Sequence, residues 1–372
     1  MSDVDYYIGL ISGTSIDGID CALVQFSGDT PAVVATHCNL MPRALRTKIL
    51  RLCKGSEFSS QLLGEVDVEI GRLFAASVNM LLQQAGISAS AIAAIGSHGQ
   101  TICHDTSQEI PYTLQLGCGH TISSLTGITV VADFRTRDIV NGGQGAPFAP
   151  LYHRELFTAS KEHCAVVNVG GISNITFLAS NGATEGWDVG PGNCLMDAWI
   201  EFQQGLSFDK DGSWAAEGEV IDSLLTELLA DSFLSLKPPK SIGKEYYSLS
   251  WLNKHVKAAY KAVDIQATLT QYTAQTIAAA VLNNRDYLIK SLYLCGGGTH
   301  NKQLQRLLKE MLPEVSIRSS AEMGVDPDYL EAMMFAWYAA NTINQTPVNL
   351  AAITGSKGVE LLGAIYPMQP SE

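Results

Sequence analysis

Two apolar runs, residues 6–11 and 21–26, enclose the polar stretch 12–20, Ser-Gly-Thr-Ser-Ile-Asp-Gly-Ile-Asp, and this arrangement constrains the fold more than any other part of the chain. Runs rich in Ile, Leu, Val and aromatics with Gly between them predict an antiparallel pair of strands. Nine residues is long for a hairpin connection, and long ordered loops usually carry function. Small residues let the backbone approach an anion, Thr14 and Ser15 offer hydroxyls, and Asp17 and Asp20 can hold Mg2+ through water. An ordinary Gly/Asp turn is the plain alternative. Gly13 and Gly18 have P-loop spacing, but Ile19 and Asp20 stand where that motif needs Lys and Ser or Thr. A nucleotide bound here is held in some other way.

The pattern then returns. Residues 164–169 read as a strand ending in Gly170-Gly171-Ile172-Ser173-Asn174, followed by a second strand at 175–179. Such an echo predicts two domains of common architecture, facing each other across a nucleotide. A chain of 372 residues, 46% hydrophobic and 16% charged, can bury cores of that size. The boundary is expected at 138/139: an N-terminal domain over 1–138, with 360–372 packing on it, and a C-terminal domain over 139–359. The Gly- and Pro-dense stretch 141–150 is read as the hinge or cleft floor.

Taken in order, 32–37 completes a three-stranded meander with a turn at Gly28-Asp29, Pro42 opens a helix to Cys53, and residues 62–81 keep helical i, i+4 spacing. A buried strand at 93–96 runs into Ser97-His98-Gly99-Gln100-Thr101, and another at 129–132 into Asp133-Phe134-Arg135-Thr136-Arg137-Asp138. Polar groups at strand C-termini are where open α/β sheets place ligands. His98 and His104 are each weak signals alone. Arg135 either pairs with neighbouring Asp in a surface turn or forks onto a carboxylate or phosphate. Asp188, before the Gly190-Pro191-Gly192 turn, is either a turn residue or a carboxylate free for chemistry. Residues 204–263 read as an insertion, in which the Lys-Pro-Pro-Lys bend at 237–240 reads better as a solvated loop than as a substrate rim.

Further on, Gly296-Gly297-Gly298 between a strand at 291–295 and a helix allow close approach of a phosphate or flat ring, with Thr299 or Asn301 as the helix cap. Asp326-Pro327-Asp328 predicts a helix start with Pro at its first position, and Glu331 is the sole charge on the apolar helix that follows. A carboxylate there faces a polar cavity in preference to water. Eight cysteines without a CxxC pair argue against zinc clusters and disulfides, and are expected to be reduced core residues. A net charge of −13 disfavours nucleic acid and favours a small-molecule substrate. The N-terminus shows no signal peptide and no stretch reaches about 18 apolar residues, so a soluble, cytoplasmic protein with no membrane partner is expected.

Together these residues carry a resemblance. The motifs at 12–20, 97–101, 133–135, 142–147 (Gly-Gly-Gln-Gly-Ala-Pro), 168–174, 190–193 (Gly-Pro-Gly-Asn) and 296–301 (Gly-Gly-Gly-Thr-His-Asn) make the chain similar, end to end, to the anhydro-N-acetylmuramic acid kinase family of the sugar kinase, Hsp70 and actin superfamily. Departures are Val189, where the family carries Thr, and Cys103 and Asp105 around His104. The resemblance implies an α/β, two-domain, ribonuclease H-like fold with a central ligand cleft, and a homodimer is the expected assembly. It implies an enzyme that uses ATP, Mg2+ and water to open a 1,6-anhydro sugar and phosphorylate O6. Asp188 is then the base, and Arg135 and Glu331 contact the sugar, with His98 and Asn174 lining the cleft. Gly13, Thr14, Ser15, Ile16, Asp17, Gly18, Ile19 and Asp20 would hold phosphates, and Asp17 and Asp20 the metal. Gly170, Gly171, Gly296, Gly297, Gly298 and Asn301 would complete the ATP site. Rival readings are another sugar kinase of the same fold, a non-catalytic ATP-binding clamp, or a glycosidase with Asp188 and Glu331 as its two carboxylates.

Overall fold

The computed structural model describes residues 5–13, 15–26, 31–55, 58–157, 162–243, 246–284, 287–323 and 325–368. Thr14 and the expected Gly28-Asp29 turn lie outside them. In chain order the elements are β1 (Asp5–Ser12), β2 (Gly18–Phe26), β3 (Ala32–Leu40), α1 (Arg43–Cys53), α2 (Ser60–Ala85), β4 (Ile92–Asp105), β5 (Tyr112–Leu116), α3 (Gly119–Thr126), β6 (Val130–Ala132), α4 (Phe134–Val140) and α5 (Ala149–Phe157). Then come β7 (Cys164–Val169), β8 (Ile172–Leu178), β9 (Thr184–Pro191), α6 (Cys194–Gln204), α7 (Asp222–Leu229), α8 (Leu249–Leu252), α9 (Ala262–Asn283), β10 (Ser291–Cys295), α10 (Lys302–Met311) and β11 (Ser316–Ser319). The chain ends with α11 (Leu330–Ile343), β12 (Val348–Asn349), α12 (Ala351–Thr354), β13 (Val359–Glu360) and β14 (Ala364–Tyr366).

Two compact units divide the chain, Met1–Tyr152 with Tyr329–Glu372, and His153–Asp328. In the first, β3, β2 and β1 form an antiparallel meander, β4 and β6 follow parallel to β1, and β14 closes the edge against β6. In the second, β9, β8 and β7 repeat that meander, and β10 and β11 follow parallel to β7. Both sheets thus carry the ribonuclease H-like order, three antiparallel strands whose first is extended by two parallel ones.

The first unit includes residues 139–152 and 329–359, which sequence spacing alone assigns to the other domain. Two packing facts explain this. Gly9 and Gly96 stand opposite each other on β1 and β4, and α11 lies so close over them that a Cβ would come 1.7 Å from Ala332 O at Gly9 and 2.0 Å from Phe335 O at Gly96. Strand side chains alternate between faces, so Ile8 and Leu10 point the other way, into a core with α1 and α2. Secondly, residues 144 and 145 are tied into the first unit. Gly145 N donates to the buried Asp138 Oδ2 at 2.6 Å, Gln144 N to Thr354 O at 3.0 Å, and Thr354 Oγ1 to Asp138 Oδ1 at 2.6 Å.

Several local expectations change. The 12–20 loop shrinks to residues 13–17, because β1 extends through Ser12 and β2 starts at Gly18. Residues 97–101 do not follow a strand but continue β4, which runs 14 residues because β1 and β5 give it partners on that stretch. The charged segment after β6 is helix α4, with Asp133 in the left-handed region at φ 57. Helix α11 starts at Leu330, so Pro327 is not its first residue. None of the eight cysteines is in a disulfide, but Cys21, Cys164 and Cys295 alone are buried. Within 204–263, read as an insertion, Leu224, Leu228, Phe233, Tyr247, Trp251 and Leu252 pack in one core with Trp199 and Tyr272. No helix among the described residues is long and apolar enough to cross a membrane.

Candidate active site

In the second unit, Asp188 lies inside β9, not after it, and is the cross-strand partner of Asn174 on β8. The pairing steps from Asn174 with Asp188 to Ser173 with Gly190, so Val189 is an extra residue, a β-bulge. Bulges re-aim side chains and recur beside active sites. Val189 itself belongs to the buried core with Ala274 and Ile277. Asp188 is buried; its N–H donates to Lys240 O at 3.1 Å and its Oδ2 accepts from Ile242 N at 2.9 Å. Lys237, Pro238 and Pro239 of the Lys-Pro-Pro-Lys bend are exposed, as a solvated loop would be, but Lys240 is buried, and its carbonyl and the N–H of Ile242 reach Asp188. Beside it, Asn174 Oδ1 is buried without a hydrogen-bond partner among the described residues, an acceptor ready for a ligand hydroxyl or water.

The glycine segments of this unit divide by role. Gly170 O and Gly171 O accept from Asn193 N and Gly192 N, at 2.8 and 2.9 Å, and so fix the turn before α6. Gly296, at φ 76, and Gly298 have no room for a Cβ, which would meet Asn168 Oδ1 and Val169 Cγ1 at 2.2 Å each. Gly297 is the exposed member, where the backbone is open to a flat ring. Asn301 caps α10 through Leu304 N at 2.9 Å and is buried, so its side chain is engaged in the fold.

In the first unit a second bulge does similar work. Leu10 pairs with Ser97 but Ser12 with Gln100, leaving one extra residue at His98-Gly99, with Gly99 at φ 77. There Ser12 Oγ donates to Gln100 Oε1 at 2.6 Å, while the His98 ring, its centroid 4.6 Å from that of the Phe335 ring and tilted 31° to it, turns to Arg135. Arg135 Nε donates to His98 Nε2 at 2.9 Å, which leaves the His98 proton on Nδ1, facing Gly99 O at 3.1 Å. Burial first, and the Arg135 charge second, push His98 well below its usual pKa; the same two causes bring His104 to about 4. Both rings are neutral at pH 7. A second Arg135 nitrogen donates to Gly145 O at 2.6 Å and the guanidinium lies 5.3 Å from the Phe148 ring. His98 thus supports Arg135 from behind, and Glu331, one helical turn before Phe335, shares its face of α11.

Among the described residues of 13–20, side chains divide between core and surface. Ile16, at φ 57, and Ile19 bury their side chains in the core, so only their backbone can meet phosphate. Gly13, exposed Ser15 and Asp17, Gly18 and half-buried Asp20 remain accessible on the hairpin. Sequence reasoning missed Arg46 on α1, whose Nη2 lies 3.5 Å from Ser15 O and 4.0 Å from Asp17 Oδ1, with a buried Nε lacking a partner among the described residues. Nothing in the helix pattern distinguishes it from Arg43 or Arg51. Arg46→Ala is expected to raise the KM for ATP about tenfold, the worth of one charge-assisted contact, with the sugar KM unchanged; equal losses in both titrations would remove Arg46 from the phosphate end.

Comparison with known proteins decides the family. A model described as anhydro-N-acetylmuramic acid kinase matches residues 5–368. The chain belongs to the anhydro-N-acetylmuramic acid kinase family. Among its relatives, the anhydro-N-acetylmuramic acid kinase of Legionella pneumophila (strain Corby) is 58% identical over 362 residues, covering 97% of this chain and 98% of that one. The Coxiella burnetii (strain Dugway 5J108-111) family member is 46% identical over 363 residues, 97% of each chain. Among solved structures, component A of (R)-2-hydroxyglutaryl-CoA dehydratase from Acidaminococcus fermentans is similar at 15% identity and TM-score 0.48, over 91% of this chain and 99% of that one.

Proposed function

We propose that this enzyme uses ATP and water to open the 1,6-anhydro bridge of anhydro-N-acetylmuramic acid and phosphorylates O6, giving N-acetylmuramic acid 6-phosphate in the recycling of peptidoglycan sugars. Family membership over residues 5–368 supports the substrate and the reaction class. The observation that carries the chemistry is Asp188, a buried carboxylate gripped through its own N–H and its Oδ2 beside the unpartnered Asn174 Oδ1. In this reading Asp188 takes the proton of a water whose oxygen adds to C1. The C1–O6 bond breaks, O6 attacks the γ-phosphorus roughly in line, and the bond to the β-phosphate oxygen breaks as ADP leaves. Asp188 then returns its proton to solvent.

The other assignments follow from chemistry. Arg135, pre-oriented by His98, Gly145 and Phe148, suits the planar lactyl carboxylate of the sugar. Glu331 accepts from a sugar hydroxyl, and the hairpin at 13–20 and the exposed Gly297 serve the phosphates and the adenosine. Magnesium fits this donor set. Asp17, with its side chain 65% exposed, and Asp20 are two carboxylates on one hairpin, and Mg2+ takes one or two carboxylates together with waters and phosphates. No cluster of three His, Cys, Asp or Glu among the described residues offers an all-protein cage. The bound ion supplies charge neutralisation for the terminal phosphates. Cytoplasmic location and a homodimer belong to the same reading, drawn from the family.

Sugar release measured with and without MgATP tests the function: phosphorylated product and no turnover without ATP are expected, and free N-acetylmuramic acid made without ATP would replace the kinase by a glycosidase. Arg135→Ala is expected to raise the sugar KM about ten- to a hundredfold, the worth of a charged hydrogen-bonded contact, with little change for ATP. Parallel losses for both substrates would refute the assigned carboxylate.

A further inference from the structure

We propose that Lys240 is a positioning residue for Asp188: clamped to the end of the 232–235 helical turn, it holds the strap of backbone that grips the Asp188 carboxylate. The inference rests on Asp188 being the base and concerns what keeps that base in place. Residues 236–242 contain no regular element, so no ladder of hydrogen bonds fixes them. Lys240 supplies the fixation. Its ammonium donates to Phe233 O at 3.1 Å and Leu234 O at 3.3 Å, carbonyls of the Ser232–Ser235 turn, and lies 4.6 Å from the centroid of the Phe233 ring.

This lysine is 9% exposed, and removing an ammonium from water is costly unless carbonyls, a ring face or a counter-charge replace the lost solvation. All three are present. Burial lowers the Lys240 pKa from its ordinary value and the negative charge of Asp188 pulls it the other way. The neighbouring acid, Asp231, is already engaged by Phe233 N and the Tyr246 and Tyr247 hydroxyls. From this anchor the strap reaches Asp188 twice, through Lys240 O to the Asp188 N–H and through Ile242 N to Oδ2. A donated N–H and a nearby cation both favour the ionised carboxylate, the form a base must have. Two prolines in the strap, Pro238 and Pro239, restrict its backbone further. A lysine in a solvated loop would do none of this.

The full-length enzyme tests the inference through Lys240→Met and Lys240→Arg, each with its melting temperature, its KM for both substrates and a kcat–pH profile. For Lys240→Met, kcat is expected to fall about ten- to a hundredfold, the cost of a base displaced by an ångström or less. The KM for ATP should hold, and the acidic limb of the profile should move to higher pH. Lys240→Arg, which keeps the charge and the donors, should recover most of the rate. A folded Lys240→Met enzyme with wild-type kcat and an unmoved acidic limb overturns the proposal. If that variant does not fold, Ile242→Pro, which deletes the N–H reaching Oδ2 and keeps Lys240, should move the same limb upward, and an unmoved limb there overturns it equally. Asp188→Asn separates the two levels: appreciable turnover in that variant refutes the base itself, whereas an inactive Asp188→Asn beside an unaffected Lys240→Met refutes the role of Lys240 alone.

Discussion

Asp188→Asn is expected to lower kcat by about 10²- to 10⁴-fold, the usual contribution of a positioned general base, while ATP binding stays near the wild-type level. The reason lies in what the substitution keeps. Asparagine has the same shape, and its carbonyl oxygen can still accept from Ile242 N, as Asp188 Oδ2 does at 2.9 Å. The backbone bond from residue 188 to Lys240 O is untouched, as is the pairing with Asn174. What disappears is the capacity to take a proton from water. Single-turnover product formation and a calorimetric ATP titration measure the two halves of the prediction. Residual turnover within about tenfold of wild type, well short of a lost general base, would place the base elsewhere.

The second large effect is on folding. Gly9→Ala and Gly96→Ala are each expected to destabilise the first unit by about 3 kcal/mol, the cost of overpacking where neither neighbour can yield. The added methyl would meet backbone, Ala332 O at Gly9 and Phe335 O at Gly96, so a rotamer change cannot relieve the clash. To make room, α11 must lift from β1 and β4. For a unit of this size the loss corresponds to a fall of roughly 6–12 °C in the midpoint of the unfolding transition, read by calorimetry. Because α11 carries Glu331 and the Phe335 ring that lies against His98, the sugar KM should rise with the loss of stability. A melting temperature unchanged in both variants would mean that α11 does not rest on these glycines.

Much of this was legible in the chain because it is local. The runs at 6–11, 21–26 and 164–169 are rich in Val, Ile and Leu, and strands form there. Residues 62–81 keep helical spacing, and α2 runs Ser60–Ala85 between a Ser59 cap and a left-handed Gly86. Asp188 stood out because it precedes a Gly-Pro-Gly turn. Arg135 stood out as a cation just past a strand. What stayed hidden depends on pairing. The bulges at His98-Gly99 and Val189 exist only relative to their partner strands, and no count along one strand shows an extra residue. Lys240 sits in a polar, proline-rich segment that composition assigns to solvent, yet the carbonyls of Phe233 and Leu234 bring its ammonium inside. Arg46 is one of three arginines on α1, and only the docking of that helix puts it beside Ser15.

The sequence by itself determined the meander at 6–37, its echo of strand, glycine loop and strand at 164–179, the long helix over 62–81 and the family, since each rests on local preference or on short motifs whose residues are contiguous. Tertiary structure alone decided where residues 139–152 and 329–359 belong and which atoms hold Arg135 and Asp188. The physical reason is sequence distance. The contacts concerned, Gly9 with Ala332, Asp138 with Thr354 and Asp188 with Ile242, join residues far apart in the chain. Close packing sets them, and it is settled only when the sheets and the helices on them are in place.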